Sequence, residues 1–259
     1  MTGQRRAAPS AACAAAFVLT IATAGPLAAA GSASADDGIG SLSAQQITRR
    51  AHDALFGVTS LHLSTRGSLG APGTPASMDL TLDRAANCRG SVSLGKQGSV
   101  EIIKRGDTVW IKPDRTFWEH RTPRGSAAAK LFGGHYLKGS AKQQPLKDMS
   151  QVCDLDAFLK ATGDSPDPTP AKLTKGKETT VHGISVIPVR GVVGDRTETL
   201  YVATHGKPYP VQLSVRDHAS EATIRFADFN KPVPSKTPPA NLTIDLSTAG
   251  RQTGPVGAA

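Results

Sequence analysis

Seven histidines and 21 Asp+Glu side chains give this chain of 259 residues the raw material for acid–base or metal chemistry. Their spacing does not assemble it. No pair of histidines falls at H-x-x-x-H or H-E-x-x-H spacing, which would set two imidazoles on one helix face around a metal. His62 and His182 fall on the polar sides of alternating segments, where a solvated surface residue is the simpler reading. Asp154 and Asp156 form a two-apart carboxylate pair, which helix capping explains, with Asp156 as the expected cap. A G-x-S-x-G elbow, a phosphate-binding loop and a dinucleotide glycine fingerprint are all missing from the sequence. Arg105-Gly106-Asp107 and Asn241-Leu242-Thr243 match short motifs, but turn chemistry accounts for the first and the second is uninformative alone. The expectation is a non-enzymatic protein with no metal and no cofactor.

The cysteines carry more information. Cys13 lies in an apolar stretch, and Cys88 and Cys153 lie beyond it. Arg5 and Arg6, the apolar residues that follow, and Ala33-Ser34-Ala35 before Asp36-Asp37 have the layout of a secretory signal peptide over residues 1–35. Cys13 sits inside the apolar stretch rather than after it in a lipobox, so lipid modification is not indicated. Export leaves Cys88 and Cys153 as an even pair in an oxidising compartment, which predicts one disulfide. Closing a loop with a sequence separation of 65 is worth roughly 4 kcal/mol in the chain-entropy model. Without residues 1–35 the 30 basic side chains fall to 28 against 21 acids. That excess is spread along the chain, without a basic run or aromatic interleaving. Nucleic acid is therefore not an expected partner, and a mild attraction to anionic envelope surfaces, as in peripheral membrane contact, is.

The elements that must position any site read as strands. Val100–Pro113 forms a hairpin hinged on Gly106-Asp107, because glycine suits the first central position of a type II′ turn. Pairing outward sets Ile103 opposite Trp110, Ile102 opposite Ile111 and Glu101 opposite Lys112. Val100, Ile102, Val109 and Ile111 then share one face, with Ile103 and Trp110 on the other. Similar alternation marks Leu61–Thr65, Met78–Leu82, Val92–Leu94, Val181–Val189, Thr197–Ala203, Val211–Val215 and Ala222–Phe226. Ser43 and Gln46 make a capping box for a helix running to Gly57, and weaker helical patterns cover Ser126–Phe132 and the residues after Asp156. Residues 164–170 are a linker, and 247–259 a disordered tail. The result is an α+β fold with eight or nine strands in a meander, forming a curved antiparallel sheet covered by a few helices over residues 36–246. Val211, Leu213, Ile224 and Phe226 join the four hairpin residues as the expected apolar lining of the concave face. That interior is either filled, as in an ordinary core, or open to a hydrophobic ligand.

The leading helix ending near Ala54–Val58, then Ser60–Gly67, Gly106–Pro113, Tyr201–Leu213 and Ile224–Val233, together resemble the bacterial envelope carriers of the LolA, LppX and LprG type. Ala-, Gly- and Arg-rich composition suits a secreted actinobacterial member. The resemblance implies a half-barrel with helices over a cavity that shields acyl chains. It implies a lipid or acylated molecule as ligand, an extracytoplasmic location and no catalysis. The missing lipobox departs from the anchored mycobacterial members. A second reading remains, an envelope sensor or interaction module with a filled core and a protein partner.

Overall fold

The computed structural model describes residues 38–67, 75–121, 123–144, 146–163, 172–218 and 220–249. The expected signal peptide, the 164–170 linker and residues 250–259 of the expected tail lie outside the described residues.

The first meander has six strands: β1 (Ser60–Gly67), β2 (Ser77–Asp83), β3 (Cys88–Ser93), β4 (Ser99–Arg105), β5 (Thr108–Pro113) and β6 (Tyr136–Ser140). After two short strands, β7 (Leu173–Lys175) and β8 (Thr179–Val181), a second meander follows. It comprises β9 (Ile184–Val193), β10 (Arg196–Ala203), β11 (Pro210–Arg216) and β12 (Glu221–Ala227), and β13 (Thr243–Asp245) closes the chain's strands. The spatial order is β13-β6-β5-β4-β3-β2-β1-β12-β11-β10-β9-β7, with β8 also paired to β9. The expected single meander is thus two, joined where β1 pairs antiparallel with β12. Every pairing is antiparallel except β13 on β6, so the sheet is mixed, curved and open.

Local chemistry set several of these elements in advance. In the β4–β5 hairpin the register is Glu101 opposite Lys112, Ile102 opposite Ile111 and Ile103 opposite Trp110. Gly106 takes φ +51°, which a type II′ turn requires at that position. Lys112 Nζ meets Glu101 Oε1 at 2.6 Å across the strands. Helix α1 (Ala44–Phe56) starts on its capping box, with Ser43 Oγ accepting from the Gln46 amide and the Gln46 side chain accepting from the Ser43 amide at 2.9 Å. Its end differs from expectation. Gly57 has φ −86° rather than a left-handed value, and the Arg84 guanidinium instead donates to the Phe56 and Val58 carbonyls.

Five more α-helices follow among the described residues: α2 (Arg115–Arg121), α3 (Gly125–Phe132), α4 (Leu146–Ser150), α5 (Leu155–Gly163) and, after β13, α6 (Leu246–Ala249), which takes in residues 247–249 of the expected tail. The cap of α5 is Asp154, which accepts from the Ala157 amide at 2.9 Å, while Asp156 pairs with Arg84. Asp154 wins because it lies three residues before an amide with no intrahelical partner. A disulfide joins Cys88 on β3 to Cys153 just before α5.

The outer face of the first meander is covered too, a feature that alternation alone does not show. Residues 228–242 leave β12, cross the back of the sheet and deliver β13 to its far edge. The crossing is held by Asn230 N to Ser60 O at 2.8 Å, Arg89 Nη1 to Lys236 O at 2.7 Å and Ser60 Oγ to Lys231 O at 2.6 Å. Arg105 also donates to Val233 O. Ile103 and Trp110 point outward by register, yet are only 2% and 9% exposed, and Val233 in the strap is itself buried. The prolines of the strap could not join the sheet as an inner strand, so they lie across it.

Candidate functional site: a cleft beneath the first helix

On the concave side, apolar residues line up in rows across the strands. One row runs Leu137, Ile111, Ile102, Gly90, Leu80, Leu63, Phe226. A second runs Val100, Val92, Met78, Thr65, Ile224, Leu213, Leu200, Val189. In the first meander these rows meet Leu146 of α4 and Leu155 and Leu159 of α5, and the space is filled. In the second meander Phe226 of β12 still meets Phe158 of α5, with ring centroids 6.5 Å apart, but β9 and β10 are covered mainly by α1, whose Ile47 and Ala51 pack on Ile187, Val189 and Val202. One helix cannot cover four strands, because a helix is about 10 Å wide and strands are about 4.8 Å apart.

The uncovered part is a cleft of about 230 Å³. Thr48, Ala51, His52, Leu55 and Phe56 of α1 form one wall. Leu173, Val189, Gly191, Glu198, Leu200, Pro210, Leu213 and Phe226 form the floor and the other wall. Gly191 and Glu198 face each other in the register, and Leu173 pairs with Gly191, so this end of the cleft lies at one end of the strands. The polar groups are few and already engaged. Glu198 Oε1 holds Arg196 Nη2 at 2.9 Å, Thr48 Oγ1 donates to Ala44 O at 3.0 Å, and the His52 ring stacks on Phe56 with centroids 4.1 Å apart. Among the described residues there is no group of three His, Cys, Asp or Glu side chains placed to hold a metal.

The eight expected lining residues divide three ways. Leu213 and Phe226 line the cleft. Val100, Ile102, Val109, Ile111 and Ile224 lie in the filled core, the first three with no exposure at all. Val211 lies on the other face of the sheet, with Val186 and Ala203. A register shift between Tyr201 and Val202 is the cause: it breaks the two-residue period, so Val211 and Leu213 no longer share a face. Residue reasoning missed the α1 wall altogether, although the Thr48, His52, Leu55 spacing is one side of a helix. Leu200, in the alternating Thr197–Ala203 segment, also lines the cleft without having been among the expected lining residues.

No family model matches the chain, and no curated protein sequence matches it. Solved structures do. LprF from Mycobacterium bovis superposes with a TM-score of 0.50 at 16% identity, covering 75% of this chain and 96% of that one. The lipoprotein LppX of Mycobacterium tuberculosis gives a TM-score of 0.48 at 16% identity, covering 74% of this chain and 98% of that one. The superposition on LprF shows a shared curved-sheet fold, the fold that the sequence resemblance implies. Among the described residues no helix is long and apolar enough to cross a membrane.

Proposed function

We propose that this is a non-enzymatic protein of the extracytoplasmic envelope that holds a hydrophobic ligand, a lipid or lipidated molecule, in the cleft between α1 and β9–β12. The observation that carries this reading is the apolar cleft beside an otherwise filled core. Leu173, Leu200, Leu213 and Phe56 keep partly exposed apolar surface at the cleft, which forfeits roughly 25 cal/mol per Å² of burial that an alkyl chain restores. The capacity of the cleft narrows the ligand. About 230 Å³ is below the roughly 300–1,000 Å³ of sites for drug-sized molecules, so it suits part of one acyl chain rather than several chains at once. The resemblance of Ser60–Gly67 and Tyr201–Leu213 to envelope carriers supports the same class of ligand. Catalysis is not part of the proposal, because Glu198 is committed to Arg196 and His52 to a ring stack.

Native mass spectrometry of the full chain purified from an exporting bacterial host provides the test. The expected result is a lipid adduct that organic extraction removes and that Leu200→Trp, which fills the cleft, reduces at least ten-fold. Protein that carries no lipid and binds no added fatty acid would remove the proposal, and a stable protein partner recovered instead would favour the sensor reading.

A further inference from the structure

The back of the second meander is unlike the back of the first: Val186, Ala203 and Val211 form a small buried cluster at one end, and among the described residues the 228–242 strap is bonded to the first meander instead. The outward positions of this second back form a row across five strands: Arg190 on β9, Thr199 on β10, Ser214 on β11, Thr223 on β12 and Arg66 on β1. Four strand spacings of about 4.8 Å put the two arginines about 19 Å apart, with three hydroxyls between them. One flanking row adds Thr197 and Arg216, and the other adds Tyr201 and Arg225. Arg190, Thr197, Thr199, Tyr201, Ser214 and Arg216 line a groove of about 240 Å³ together with Glu221, the one carboxylate among its lining residues.

The bonding state of these groups is uneven. Arg216 Nη2 meets Glu221 Oε1 at 2.9 Å, and Ser214 Oγ accepts from Gln212 Nε2 at 2.9 Å, which leaves the serine proton to donate. Arg190 has no ion pair among the described residues, and neither do Arg66 and Arg225. A groove that offers guanidinium and hydroxyl donors, with its single acid already paired, is complementary to a tetrahedral oxyanion. We propose that it is a second binding site, independent of the cleft, for a phosphate-bearing group. Arg190 supplies the free charge, Thr199 and Ser214 donate hydrogen bonds, and Glu221 competes with the ligand for Arg216. The same chemistry is offered by an anionic lipid headgroup and by a soluble phosphate ester.

Titration of the full chain with pyrophosphate, followed by amide NMR at constant ionic strength, tests the site. Thr199 and Ser214 are expected to shift saturably, and sodium chloride to leave them in place. Arg190→Gln should weaken binding about ten-fold, as loss of a charge-assisted contact does. Glu221→Gln should tighten it several-fold by releasing Arg216, a gain that unfolding cannot imitate. Co-sedimentation with phosphatidylglycerol-containing vesicles, against phosphatidylcholine alone, separates the sources. Retention that Arg190→Gln abolishes assigns the headgroup, while a pyrophosphate response without retention assigns a soluble phosphate. No saturable shift in the Thr199–Ser214 row, or binding that both variants leave unchanged, overturns the proposal.

Discussion

The two meanders use the same alternation of apolar and polar residues and end in different states. Beneath β1–β6 the concave rows are closed by α4 and α5, and Val100, Ile102 and Val109 are wholly buried. Beneath β9–β11 the same kind of row is covered mainly by α1, and Leu200 and Leu213 face a cleft. The backs differ as well: a strap covers the first, and a row of arginines and hydroxyls occupies the second. One half is thus closed on both sides, and the other keeps a cleft on one side and a polar groove on the other. Whether a half-buried strand face becomes core or site depends on how many helices cover it, not on the strand itself.

The disulfide belongs to the filled half alone, so its removal gives the largest contrast. Replacing both Cys88 and Cys153 with alanine should lower the stability of the full chain by roughly 4 kcal/mol, measured by urea unfolding. Fatty-acid affinity of the protein that remains folded should change little. A large loss of affinity with unchanged stability would break the division between halves. Core truncation comes next. Ile102→Ala should cost about 3–4 kcal/mol, because its neighbours leave no route to collapse. Leu213→Ala should cost only about 1 kcal/mol, since its side chain already borders open space, and should act mainly on ligand retention. Equal costs for the two would mean that the cleft is as tightly packed as the core.

Much of the filled half was legible in the residues. Glycine at the β4–β5 turn, the apolar runs on either side and the Glu101–Lys112 match specify one register, and that register is observed. The capping box and the pairing of Cys88 with Cys153 were legible for the same reason: each rests on short-range chemistry or on a count. What was not legible depends on long-range placement. Tyr136–Ser140 has too little alternation to mark a strand, and β7, β8 and β13 are three residues each. Trp110 is buried on the outer face by a proline-rich strap that shows no strand pattern. Val211 changes face through a bulge that the surrounding alternation conceals. The cleft itself follows from the number of covering helices, which no local pattern states, so five of the eight expected lining residues lie in core and only two in the cleft.

The smallest effect concerns the edge of the filled half. Asp245 on β13 accepts hydrogen bonds from Ser247 Oγ at 2.6 Å and Lys138 Nζ at 2.9 Å. The Ser247 hydroxyl, then the Lys138 ammonium, hold its carboxyl down at about 2 from an ordinary 3.8. The folded form therefore favours the ionised group. Its contribution is complete above pH 3.8 and disappears as pH falls through about 2. Because the pair is only half-buried, solvent screens it and the loss stays small. The Ser247 amide should lose exchange protection over that interval while Ile102 and the cleft methyls do not respond. Loss of β13 at higher pH would mean that Asp245 does not hold the edge.

The central contrast is tested most directly by methyl NMR during a titration with a ten-carbon fatty acid. Methyl groups of Val189, Leu200 and Leu213 are expected to shift saturably, while those of Val100, Ile102 and Ile111 stay in place. Equal shifts in both sets, or shifts confined to the second, would contradict the account.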